Sequence, residues 1–213
     1  QDLIDDGRDR ARVASDRLEN KGIGGVKLGK FAQGAIATGA ISLLLGSRGG
    51  RKLATYGGLA ALGTLTYRAY RDYQQSQSLE TAIIEPQTID RLPAPQVETH
   101  SRGILIALIA AAKSDGHIDE RERALIHDEI GKLSQDRELQ TWVDTELSRP
   151  LDAAHVAANA LTPELASEMY LASVLVVDEQ NERERAYLDQ LAAQLKLDPM
   201  LKLSLEKQAQ GSG

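Results

Sequence analysis

The chain contains no cysteine, which removes disulfides, thiolate metal sites and cysteine nucleophiles from consideration. Aromatic residues are scarce: one Phe, one Trp and six Tyr among 213 residues, so a core has to be packed by Leu, Ile, Val and Ala. The four histidines, His100, His117, His127 and His155, form no HExxH or other close ligand pair, and no serine sits in a GxSxG elbow. Gly22-Ile23-Gly24-Gly25 lacks the strand and third glycine of a dinucleotide loop. Gly46–Lys52 lacks the Ser or Thr that must follow the lysine of a phosphate loop. Basic and aromatic residues do not interleave as a base-reading surface requires, so no nucleic-acid partner is expected. No signal-peptide pattern opens the chain, and because it begins with Gln rather than Met an upstream segment is expected.

Charge is unevenly distributed. Residues 1–75 carry 12 Lys/Arg against 7 Asp/Glu, and residues 76–213 carry 13 against 24, a net +5 followed by a net −11. Within the basic part, Phe31–Ser47 runs 17 residues and Leu53–Tyr67 runs 15 residues without a formal charge, separated by Arg48, Arg51 and Lys52. A spanning helix needs roughly 20 apolar residues, so both are short. Their glycines, Gly34, Gly39, Gly57, Gly58 and Gly63 among them, permit close helix approach in lipid but weaken a helix in water by about 1 kcal/mol each relative to Ala. Flanking Lys/Arg and Tyr suit headgroups and the interfacial zone. The leading expectation is a membrane-embedded hairpin, or one tilted span with an interfacial helix. A water-exposed helix pair and a poorly ordered region are the alternatives.

Four regions are expected: a charged start over 1–29, the glycine-rich membrane-associated helical segment over 30–73, a linker over 74–99 containing Pro86, Pro93 and Pro95, and a helical domain over 100–210. In the last, apolar residues recur at helical spacing: Ile104, Leu105, Leu108, Ile109 and Ala112; then Ile126, Ile130 and Leu133; then Leu139, Trp142, Val143 and Leu147. Asp152, Thr162-Pro163, Asn181 and Asp198-Pro199 are start signals for four further helices. Trp142 reads as a core or groove anchor.

Two stretches nearly repeat: Asp119–Ile126 (DERERALI) and Asn181–Leu188 (NERERAYL), each preceded by an apolar segment ending in Asp115 or Asp178. A duplicated helix–acidic loop–helix unit follows. Gly116 can take the positive φ of a sharp turn, which lets Asp115 and Asp119 face the same side, with Glu122 nearly one helical turn beyond. Three hard oxygen donors suit Ca²⁺, Mg²⁺ or Mn²⁺, although the loop lacks the EF-hand pattern. Capping explains Asp119 with Glu122 and Asn181 with Glu184 equally well, but Asp115 and Asp178 close helices whose dipoles oppose their charge. Asp178 and Glu184 join the first set if the two loops lie side by side.

Leu43–Lys52 (LLLGSRGGRK), Leu59–Arg71 (LAALGTLTYRAYR), Ala111–Glu122 (AAKSDGHIDERE) and Glu184–Leu195 (ERAYLDQLAAQL) together resemble the YebE-like bacterial inner-membrane proteins, whose C-terminal domain is similar to the tellurite-resistance protein TerB. The resemblance implies an all-α, TerB-like multi-helix domain behind a membrane-associated segment, placed at the inner membrane with the C-terminal domain cytoplasmic. It also implies a divalent-cation cluster at Asp115, Asp119 and Glu122, with Asp178 and Glu184 as contributors, and it carries over no enzymatic activity. The function expected is thus a membrane-tethered, non-enzymatic interaction or sensing module, with lipid and a protein partner or a second copy as its contacts. A metal-dependent hydrolase and a purely structural membrane-associated oligomerisation protein are the alternatives.

Overall fold

The computed structural model describes residues 58–76, 85–114, 116, 120, 123–124, 137–177 and 181–211. Among them, seven helices follow one another: α1 (Gly58–Ser76), α2 (Ala94–Ala112), α3 (Arg137–Ser148), α4 (Ala153–Ala157), α5 (Pro163–Val176), α6 (Glu182–Gln194) and α7 (Pro199–Gln210). The described residues contain no strand.

The start signals act as their chemistry requires. Thr162 Oγ1 accepts the Leu165 N–H at 3.1 Å, and Pro163 stands where no N–H is needed. Asp152 Oδ1 accepts from Ala154 N and Asp198 Oδ1 from Met200 N, both at 2.8 Å. The helix after Asp152 is short and stops at Ala157. Helix α2 opens at Ala94 behind Pro93, well before its first stripe residue, Ile104. Helix α6 ends with Lys196 at φ 54° and a Leu197 N–H bond back to Ala192 O, a left-handed terminus built without glycine. The expected helix around Ile126, Ile130 and Leu133 lies outside the described residues.

Helix α5 is the axis of the domain. Every residue from Leu165 to Val176 is buried, so it has no solvent face, and α2, α1, α7 and α6 surround it. The valines Val174, Val176 and Val177 form the buried end of this helix, as their continuity with Leu165, Met169 and Leu175 predicts. Helix α4 then packs on α6 and α2, and α3 on α2.

Helix α1 requires a correction to the sequence reading. It takes up part of the second apolar run, and its Leu62, Leu65, Thr66 and Ala69 are buried against α5 and, chiefly, α7. Each fully buried leucine contributes about 1.5–3 kcal/mol, and a move into lipid would forfeit that packing. Arg68, Arg71 and Asp72 occupy its second half, and among the described residues no helix is long and apolar enough to cross a membrane. The expected transmembrane helix, the membrane-associated segment of the fold, the lipid-membrane partner, the membrane tether and the inner-membrane placement are corrected on this ground. The other apolar run, residues 31–47, lies outside the described residues.

The glycine content of α1 has its own explanation. The chain turns at residues 88–91, where Arg91 N–H bonds Thr88 O at 2.8 Å and Thr88 Oγ1 bonds Asp90 Oδ1 at 2.6 Å. That turn presses on α1 at Gly63: a methyl group there would collide with the Asp90 carboxylate and come within 3.0 Å of the Asp90 backbone nitrogen. Arg91 closes the junction, 3.9 Å above the Tyr67 ring and 2.5 Å from Glu85 Oε1. Close approach is what the small residue serves, but its neighbour is this turn. Gly63→Ala is expected to cost about 1–3 kcal/mol of stability in urea unfolding, because backbone as well as side chain has to shift.

Candidate functional site

The first acidic loop leaves α2 through a tight exit. Lys113 N–H bonds Ala110 O, Ser114 Oγ bonds Ala111 O at 2.6 Å, and Gly116 N–H bonds Lys113 O at 3.1 Å. Gly116 has φ 144°, a conformation that favours glycine, as its place in the loop predicts.

Gly116 lies beside the second copy of the motif. A Cβ placed on it would stand 3.8 Å from Arg183 Nη1, in the first turn of α6. The two loop regions, 67 positions apart at this contact, therefore meet in space.

Of the five candidate ligands, Glu184 is described; Asp115, Asp119, Glu122 and Asp178 lie outside the described residues, as does His117. Glu184 is 9% exposed, and its Oε1 accepts from Asn181 Nδ2 at 3.0 Å, while Asn181 Oδ1 accepts the Arg183 N–H at 3.0 Å. Asn181 and Glu184 thus make a variant of the capping box in which the carboxylate receives a side-chain amide. Among the described residues no group of three His, Asp or Glu side chains is placed to hold a metal.

Two positive residues flanking the first loop, Lys113 and Arg123, are held by the domain. Lys113 Nζ donates to the Glu146 carbonyl at 3.2 Å and to the Arg149 carbonyl, at the end of α3 where free carbonyls carry partial negative charge. Burial holds the Lys113 ammonium below its usual range, with Glu146 opposing that shift. Arg123 Nη1 donates to Ser148 Oγ at 2.9 Å. Glu146, itself buried, bonds His155 Nε2 at 3.1 Å and Arg149 Nε at 3.4 Å. Lys113 and Arg123 thus anchor both flanks of the loop to α3, whereas metal-assisted hydrolysis would need them turned toward a substrate.

Sequence reasoning missed a second polar centre. Glu168, in the middle of α5, is fully buried; its Oε2 lies 2.6 Å from His100 Nδ1 of α2, and its Oε1 accepts the Ile89 N–H at 2.5 Å. Three separate parts of the chain meet on one carboxylate. A signal was available: a lone charged residue inside a helix apolar on all sides has to find partners, since an unpaired buried charge costs several kcal/mol.

These features define a class, an all-α multi-helix domain of the TerB-like kind, with the TerB-like part of the expectation supported and its membrane part overturned. The chain belongs to the family described as Protein of unknown function (DUF533), whose model matches residues 30–209. It is also similar to an uncharacterized protein in the ampR 5′ region of Yersinia enterocolitica, 29% identical over 111 residues, which covers 52% of this chain and 80% of that protein. No solved structure matches.

Burial raises the Glu168 carboxyl above its ordinary value of 4.5, while the His100 hydrogen bond and charge and the Ile89 N–H oppose the shift and the Asp90 charge adds to it. A carboxyl raised in the folded state contributes stability that is full below the unfolded value and is lost as pH rises through the folded one. Unfolding free energy measured in urea from about pH 4 upward is expected to carry this decline in the native chain and to lose it in Glu168→Gln.

Proposed function

We propose that this protein is a non-enzymatic helical interaction module whose two acidic loops together take up one hard divalent cation, Ca²⁺, Mn²⁺ or Mg²⁺. The observation that supports the reading is the approach of Gly116, next in sequence to Asp115, to Arg183, next in sequence to Glu184; the proposed ligands are Asp115, Asp119 and Glu122 of the first loop with Asp178 and Glu184 of the second. A bound cation supplies positive charge between carboxylates that repel one another and offsets the penalty of acidic residues at helix C-termini.

The chain's own groups perform the rest. Arg183 already supplies a positive charge beside Gly116, so cation and guanidinium compete for the same negative field. Lys113 and Arg123 tie the loop flanks to α3, so a change in loop geometry is transmitted to that helix and to the surface carrying Trp142. A protein partner that reads this surface would sense the loop's state. The anchoring of Lys113 and Arg123 argues against the hydrolase alternative.

A purely structural role for the loops is the second reading, favoured by the Asn181 to Glu184 hydrogen bond, which satisfies the carboxylate without any ion.

Calorimetric titration of the full chain with CaCl₂, MnCl₂ and MgCl₂ separates the two. Saturable binding is expected for at least one ion, with a stability gain of about 2.7 kcal/mol at about 100 times Kd. Asp115→Asn and Asp119→Asn should each weaken it about tenfold, and Arg183→Ala should strengthen it. Neither heat nor a thermal shift at millimolar concentrations leaves the structural reading standing.

A further inference from the structure

Glu168 and His100 face each other inside the core. The Glu168 side chain is fully buried, that of His100 is 6% exposed, and Oε2 lies 2.6 Å from Nδ1. A buried pair this close titrates as a unit. While it keeps one shared proton, as carboxylate with imidazolium or as carboxyl with imidazole, its net charge is zero. Loss of that proton leaves a negative charge with no access to water.

Of the elements that meet on this pair, the turn at residues 88–91 is the one least tied down. Helices α2 and α5 bury long faces against each other, whereas the turn sends in Ile89, whose amide reaches Glu168 Oε1 at 2.5 Å, and returns to solvent at Asp90 and Arg91. Its charge is unfavourable to an ionised Glu168. Asp90 acts on that carboxylate directly, and Arg91, 3.8 Å from Asp90, is shared with Glu85 at 2.5 Å, so two acids stand against one base. The remaining titratable groups nearby bring no compensating positive charge. Glu164 lies one helical turn before Glu168, Glu206 of α7 accepts the Tyr170 hydroxyl, and burial pushes the Tyr70 hydroxyl of α1 up to about 12.

We propose that residues 85–92 are a pH-operated flap over Glu168, closed on α5 and α1 while the His100–Glu168 pair keeps its shared proton and lifted when that proton leaves. Lifting sacrifices the Ile89 hydrogen bond and the cover of its side chain; it opens the carboxylate to water and takes Asp90 away from it. The sign follows: opening increases with pH. Because the turn also sits on α1 at Gly63 and Tyr67, lifting uncovers that part of α1. The flap is separate from the acidic loops, and its state does not depend on how those loops are read.

A local flap and a general loss of stability differ in which amides they expose, since local opening leaves the core protected. The test is hydrogen exchange of the full chain followed by NMR at the Ile89 amide, with the Leu171 amide of α5 as reference, from about pH 6 to about pH 9, the range that brackets imidazole titration. After correction for intrinsic rates, Ile89 protection should fall at least about tenfold relative to Leu171 over that range, the change carried by one proton per tenfold of acidity. Glu168→Gln retains both bonds, its carbonyl accepting from Ile89 and its amide donating to His100 Nδ1, and should abolish the fall. Asp90→Asn leaves the core untouched, its Oδ1 still able to accept from Thr88 Oγ1, and should move the fall to higher pH. A constant ratio of Ile89 to Leu171 protection, a fall that persists in Glu168→Gln, or a midpoint that Asp90→Asn leaves in place would each overturn the proposal.

Discussion

The domain is organised around one carboxylate in a place where a charge is expensive. Helix α5 has no face toward water, yet it carries Glu168 at its middle, and burial of an unpartnered carboxylate costs several kcal/mol. His100 from α2 and the Ile89 amide from the segment before α2 meet that requirement together. The consequence is positional. Ile89 can donate to Glu168 only if the residues just before α2 lie along the core, and that placement brings the turn at residues 88–91 onto Gly63 of α1. Removing one partner of such a group is therefore unlike deleting an equally large apolar side chain, because the remaining charge stays buried.

A second long-range feature is the approach of Gly116, after α2, to Arg183 in the first turn of α6. It sets the exit of α2 beside the start of α6, while Lys113 and Arg123 tie the flanks of the same loop to α3. Membership in the DUF533 family adds no activity of its own.

Much of the helical layout was legible because its signals are local. Thr162-Pro163, Asp152 and Asp198-Pro199 announce helix starts through hydrogen bonds made within three residues, and the structure makes them. Gly116 was legible for the same reason, a turn whose φ is set by its immediate neighbours. What was not legible depends on distant partners. Residues 94–103 look polar and irregular, yet Val97, His100, Ser101 and Gly103 are buried because α5 lies beside them. The apolar and glycine-rich character of α1 is equally compatible with lipid and with a protein core, and composition does not say which covers it. Here the cover is α5 and α7, segments about 100 or more residues away. The five candidate carboxylates are a pattern in the sequence, and Glu184 is the member whose surroundings the structure describes.

The dependence of α1 on α7 has a consequence for synthesis. Of the described helices, α1 is made first, and the one that covers most of its apolar face, α7, is made last. Until then, a glycine-rich surface with Leu62 and Leu65 exposed is available to chaperones or to the same surface on a neighbouring nascent chain. Truncations that remove α7 should therefore be felt first far away in sequence, as misassembly around α1.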